Sequence, residues 1–135
     1  MTSVCTGSLI LGAAGLLRGR RAACHWAWRD MLPLFDTIPD AGRVVCDDRI
    51  ITGGGVTAGV DLALTMIAEL AGSEVAQSIQ LGLEYAPEPP FRAGRPDTAP
   101  PDVLNAYQAR LAPSMAERRV IVERVASAVR AHANA

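Results

Sequence analysis

Cys5 stands where a short extended run gives way to a glycine-containing helix start, Thr2-Ser3-Val4-Cys5-Thr6-Gly7-Ser8-Leu9. A strand that ends abruptly in a helix holds its junction residue on a tight elbow, side chain outward and backbone N–H groups close by. A thiol placed there lies near the positive end of the helix dipole, which favours the thiolate, the form that attacks electrophiles. Gly7, in the first helical turn, keeps a side chain out of the space a substrate would need. The pattern therefore offers a cysteine nucleophile. It also fits a buried small hydrophobe, the commonest fate of a free cysteine, and the local pattern alone leaves both readings open.

The other chemistry-bearing residues narrow the field mainly by exclusion. Cys5, Cys24 and Cys46 are odd in number and widely spaced, which fits neither a disulfide framework nor a zinc knuckle. All 13 basic residues are arginine, so Schiff-base chemistry and a phosphate-loop lysine are ruled out. Gly53-Gly54-Gly55 lacks the Gly-x-Gly-x-x-Gly spacing of a dinucleotide site; such a run permits close backbone approach between a strand and the next helix. Val56, Thr57 and Ala58 beyond it either border a substrate or merely complete a tight connection. His25 follows a candidate strand and reads as structural or supporting rather than as a base. Trp26 and Trp28 read as packing residues, or as one wall of an apolar pocket. Asp61 and Glu84 are acids in apolar stretches; an aspartate this early in a helix ordinarily serves the helix N-terminus. No metal or cofactor is expected.

The elements that must position these residues alternate. After the elbow, apolar periodicity predicts a helix over 9–17, a short strand over 21–24 and a short helix over 26–35 carrying Pro33. Extended runs follow over 44–47 and 49–52 around the Asp47-Asp48 turn signal. A helix over 57–70 has so little charge that it should be buried on most sides. Another helix is predicted over 74–83, then a Pro-rich loop over 86–101. Two terminal helices, 102–112 and 114–133, are expected to be separated at Pro113. Strand–helix alternation argues an α/β domain with a mainly parallel sheet.

Composition sets the class. The chain has 135 residues, half of them hydrophobic, and a net charge of −1, which suits one domain with a sizeable core. Nothing in that balance asks for nucleic acid or an anionic membrane, and the arginines of the last helix, interleaved with Glu117 and Glu123, read as a solvated face. Neither a membrane span nor a leader pattern is evident, so a cytoplasmic location is the expectation.

Residues 3–102 resemble the C-terminal portion of the ThiJ/PfpI family, in the class I glutamine amidotransferase-like superfamily, and within it the isocyanide hydratase branch. The resemblance runs through Ser-Val-Cys-Thr-Gly-Ser-Leu (3–9), Ala-Ala-Gly-Leu-Leu-Arg-Gly-Arg-Arg-Ala (13–22), His25-Trp26 and Arg43-Val44-Val45. It continues in Thr-Gly-Gly-Gly-Val-Thr-Ala-Gly-Val-Asp (52–61), Gln-Leu-Gly-Leu-Glu-Tyr-Ala-Pro-Glu-Pro-Pro-Phe (80–91), Gly94 and Pro-Asp-Thr-Ala-Pro (96–100). The elbow and the 55–61 segment occur across the family; the Leu-Glu-Tyr-Ala-Pro stretch is more particular to the hydratase branch.

The resemblance implies a flavodoxin-like sandwich lacking its N-terminal strands, a single domain over 1–135, and homodimerisation. It implies a small-molecule isocyanide as substrate, with Cys5 as nucleophile and Thr6 facing the same site. Gly7, His25, Trp26, Gly54, Gly55, Val56 and Thr57 would border the pocket. In protease-like relatives a histidine near position 25 can pair with the cysteine, a role the hydratase branch does not imply. In the family an acidic residue ahead of the elbow hydrogen-bonds the thiol and moves protons; no acid precedes Cys5 here. The expectation is thus an N-terminally truncated domain, from a shortened gene model or gene fragment, that associates and turns over poorly. Two other family roles stay in view, a sensory domain of an AraC-type regulator and a thiol-stress or glycation-defence protein.

Overall fold

The computed structural model describes residues 1–133, and these fall into two compact units that part after Pro87. The first unit holds five strands: β1 (Thr2–Val4), β2 (Arg21–Ala23), β3 (Ile38–Asp40), β4 (Val44–Asp47) and β5 (Ile50–Gly53). Its helices are α1 (Gly7–Ala13), α2 (Ala58–Ala71) and α3 (Ser73–Gly82), with a 3₁₀ helix at Arg29–Phe35. The fold is mixed α/β, as the alternation predicts.

One sheet has the order β1-β5-β4. Strand β1 runs parallel to β5, pairing Ser3 with Thr52, whereas β4 and β5 form an antiparallel hairpin pairing Val45 with Thr52. The Asp47-Asp48 turn signal is correct; Asp48 takes the left-handed conformation (φ 55°) that aspartate tolerates better than most residues. A second, two-stranded sheet pairs β2 with β3 in parallel. The expected parallel character thus holds for two of the three pairings.

Between the two sheets lies a buried polar seam. Thr52 Oγ1 accepts the Ala23 N–H at 2.8 Å, and Ser8 Oγ donates to the Ala23 carbonyl at 2.6 Å. Ser3 and Ser8 hydroxyls share a further bond at 2.8 Å. Both backbone groups of Ala23 are thereby satisfied by side chains, as buried polar groups must be. Leu17, Ala22, Ala23, Met31 and Leu32 are fully buried in this unit. At the surface Asp47 accepts the Arg21 N–H at 2.7 Å and meets Arg20 Nη1 at 3.4 Å, fastening β2 to the hairpin.

Several boundaries differ from the sequence expectation. The helix predicted over 9–17 stops at Ala13, because Gly15 adopts φ 75° and closes a Schellman cap: Leu16 N–H donates to the Leu11 carbonyl and Gly15 N–H to the Gly12 carbonyl. The 26–35 helix is a 3₁₀ helix from Arg29, the tighter form common in short connectors. Strand β3 was not predicted, since Pro39 within so short a run argues against a strand.

Helix α2 is not buried on most sides. Only Ala58 and Leu62 are buried, while Val60 is exposed and Leu70 is 80% exposed. One flank packs on β5 and another on α3, and most of its other apolar residues, Leu64, Met66 and Ile67 among them, are only half-buried. In the second unit, 88–100 is irregular and a single helix, α4 (Pro101–Ala133), runs through Pro113. The two-helix expectation is corrected: an interior proline removes one backbone donor and crowds one carbonyl, which a 33-residue helix accommodates.

Candidate active site

Cys5 ends β1 in the left-handed region, φ 61°, rare for a residue with a side chain. Its N–H donates to the Gly53 carbonyl at 3.0 Å, one step beyond the β1–β5 ladder. The chain then reverses through Thr6 (φ −73°), whose carbonyl accepts the Leu9 N–H at 3.0 Å, into α1. This is an elbow of the kind the sequence predicts, and the Cys5 side chain is partly exposed on it. What lies over Gly7 is the strand: a Cβ there would stand 3.3 Å from Ser3 Cβ, so its smallness lets α1 pack close on β1.

The turn after β5 is the second wall. A Cβ on Gly54 would meet the carbonyl oxygens of Arg43, Gly42 and Cys24 at 3.7, 3.7 and 3.9 Å, and a Cβ on Gly55 would meet His25 Cδ2 at 3.8 Å. The seam at Ala23 thus delivers Cys24 and His25 to the glycine turn, whose Gly53 holds Cys5. Val56 is 75% exposed at its outer edge.

His25 stacks on Trp26, ring centroids 5.5 Å apart, and its Nδ1 accepts the Ala27 N–H at 3.2 Å, which assigns the proton of the neutral ring to Nε2. Burial lowers its pKa from the ordinary histidine value, so the neutral ring is favoured. Cys24 is buried, and desolvation, with the charge on nearby Cys5 second, pushes its thiol up to about 12. Cys24 is therefore held as a neutral thiol.

Thr57 and Asp61 belong to a cluster that the sequence reading missed. The Arg43 side chain donates through Nε to Asp61 Oδ2, through Nη1 to Thr57 Oγ1 at 3.2 Å and through Nη2 to the Thr57 carbonyl at 2.9 Å. Asp61 Oδ1 accepts the Tyr85 hydroxyl at 2.8 Å. Asp61 thus serves a tertiary clamp and not the N-terminus of its own helix; Arg43, in a motif noted only for its resemblance, gave no local signal. Among the described residues no group of three His, Cys, Asp or Glu side chains could hold a metal ion, and no helix is long and apolar enough to cross a membrane.

A cysteine on a strand-to-helix elbow, backed by a glycine turn from the neighbouring parallel strand, marks an α/β protein with a cysteine-bearing elbow. Residues 1–69 match the DJ-1/PfpI family, and the chain belongs to it. It is 57% identical over 127 residues to the isonitrile hydratase of Pseudomonas putida, covering 94% of this chain and 56% of that protein. The solved structure of a ThiJ/PfpI family protein from Pseudomonas syringae superposes with a TM-score of 0.85 at 49% identity, over 93% of this chain and 50% of that one. The HTH-type transcriptional regulator CdhR of Pseudomonas aeruginosa is 37% identical over 78 residues, 55% of this chain and 23% of the regulator. The chain spans about half the length of the isonitrile hydratase and of the solved structure.

Proposed function

We propose that the chain carries the nucleophile-bearing part of an isocyanide-hydrating site. The Cys5 thiolate adds to the terminal carbon of R–N≡C, and that carbon takes a proton to give a thioimidate. Water then adds to the thioimidate carbon, and collapse expels the thiolate and leaves the N-substituted formamide, R–NH–CHO. Splitting the hydration this way replaces one difficult step with two easier ones. Thr6, next to the nucleophile, offers its hydroxyl to the same space, and Gly54, Gly55, Val56 and Thr57 with His25 and Trp26 border the substrate. His25, neutral and turned toward its own backbone, lines the site and is not the base.

The observation that carries the reading is the left-handed Cys5 on its Gly53 hydrogen bond, in a chain 57% identical to an isonitrile hydratase. The reading places the protein in a reducing compartment such as the cytoplasm, where its three cysteines stay free. It includes self-association as a homodimer: among the described residues β1 has one hydrogen-bonded neighbour, and Leu70, Leu81 and Leu83 present apolar surface.

The test is formation of formamide from an aryl and an alkyl isocyanide, followed for the wild type and Cys5→Ala. Turnover lost in the variant supports the mechanism; turnover that persists undiminished overturns it.

A further inference from the structure

Arg43 reaches both ends of the turn that backs the nucleophile. Its carbonyl accepts the Gly54 N–H at 2.9 Å, and its guanidinium donates to the hydroxyl and the carbonyl of Thr57. Residues 54–57 are thereby spanned by one residue that precedes β4, with Asp61 holding the guanidinium from the far side and Tyr85 in turn holding Asp61. Just before the spanned segment, Gly53 offers the carbonyl on which Cys5 rests in its left-handed conformation. The turn's other bonds are backbone ones into the start of α2, Ala58 N–H to the Gly55 carbonyl and Gly59 N–H to the Val56 carbonyl, and its glycines have the widest conformational freedom of any residues, so a side-chain bracket has much to fix.

From this bracket we propose that Arg43 is a positioning residue for Cys5: it sets the 53–57 turn, and through the Gly53 carbonyl the turn sets the elbow. The inference rests on the reading of Cys5 as the nucleophile for its catalytic meaning, but its geometry can be tested without turnover. Three donors aimed at three acceptors on two residues need the planar fork of a guanidinium; an ammonium on a lysine stem reaches one partner or the other. Misplacing a nucleophile by about 1 Å can cost on the order of a hundredfold in rate, so a bracket remote from the thiol can be felt in kcat while KM is little changed.

The experiment compares wild type, Arg43→Ala, Arg43→Lys and Asp61→Asn by residue-resolved amide exchange and by isocyanide kinetics. In Arg43→Ala the Cys5 and Gly54 amides should exchange about tenfold faster or more, while the Ala23 amide, held by Thr52, keeps its protection. Arg43→Lys should recover part of that protection, and Asp61→Asn, which keeps an acceptor for Tyr85, should show the same local pattern more weakly. Where turnover is measurable, kcat should fall with the loss of protection across the series. Unchanged exchange at Cys5 and Gly54 in Arg43→Ala overturns the proposal, and so does an equal loss at Ala23 in every variant, since that marks general destabilisation. A wild-type chain that forms no formamide counts against the hydratase reading alone; the exchange result still decides the role of Arg43.

Discussion

Replacing Thr52 by valine removes the bond that couples the two sheets, together with a long 3.5 Å bond from Thr52 Oγ1 to the Val45 carbonyl within the hairpin. The swap keeps the shape of the side chain and leaves no cavity, but it removes the only acceptor described for the Ala23 N–H. In an extended strand the N–H and C=O of one residue point to the same side, and both groups of Ala23 point away from β3, toward β5 and α1. Strand pairing therefore cannot rescue the orphaned donor. Thr52 and Ala23 have no exposed surface, so water cannot rescue it either. A buried donor left unpaired costs about 1–3 kcal/mol, offset a little by the extra buried methyl, so a net loss of about 1–2 kcal/mol is expected. For a unit the size of Met1–Pro87 that corresponds to a fall in Tm of roughly 4–16 °C. Chemical denaturation followed by circular dichroism measures the loss, and amide exchange at Ala23 locates it. Because Cys24 and His25 follow Ala23 directly, alignment of the site should loosen with it. A Thr52→Val protein within about 0.5 kcal/mol of wild type, with Ala23 still protected, would refute the claim that this bond joins the sheets.

Further expectations follow from the same geometry. Under limiting iodoacetamide at neutral pH, mass spectrometry should find Cys5 and Cys46 labelled and Cys24 spared, since Cys24 is buried with its thiol near 12; early labelling of Cys24 would contradict that burial. His25 is held below its ordinary value of 6.5, so the unfolded chain takes up its proton first, and stability should decline as pH falls below about 6.5. Asp47, lowered chiefly by the Arg21 N–H, contributes stability above the ordinary carboxylate value of 3.8 that is lost as pH falls through its depressed folded value. Urea midpoints across this range for wild type, His25→Asn and Asp47→Asn separate the two windows; a His25→Asn profile identical to wild type between pH 7 and 5 would discount the first. Light scattering coupled to gel filtration should show a dimer or larger species, and a monomer at every concentration would remove the argument from the β1 edge and the exposed leucines.

The elbow was legible because it is written locally. Three extended residues, a cysteine and a glycine two positions on leave few ways for the chain to turn, and φ 61° at Cys5 is the result. The turn at Asp47-Asp48 was legible for the same reason, whereas the parallel pairing of β1 with β5 followed from the alternation of strands and helices along the chain. Ser8 and Thr52 were not, because a hydroxyl on an apolar element looks alike whether it faces solvent or bonds a strand far along the chain. Arg43 and Asp61 were illegible by a different route. Local chemistry gave the aspartate a sufficient task at its own helix start, and only the fold reveals that the guanidinium 18 residues earlier claims it instead. Helix α2 was misread because low charge reports what a surface could bury against, while burial itself depends on what is packed there.

These two kinds of information meet at Cys5. A left-handed non-glycine residue costs about 1–2 kcal/mol, and the local sequence can propose such a conformation but cannot hold it. Holding it falls to a carbonyl supplied by Gly53, on a strand reached 48 residues later. Glycine at position 5 would adopt the same φ without the steric cost, at the expense of a more flexible unfolded chain, roughly 0.5–1 kcal/mol. Cys5→Gly should accordingly be at least as stable as Cys5→Ala, which lacks the thiol but keeps the steric cost. If Cys5→Ala were instead the more stable by a full kcal/mol, the elbow would not be strained, and the Gly53 carbonyl would be accepting a bond from a backbone already at ease.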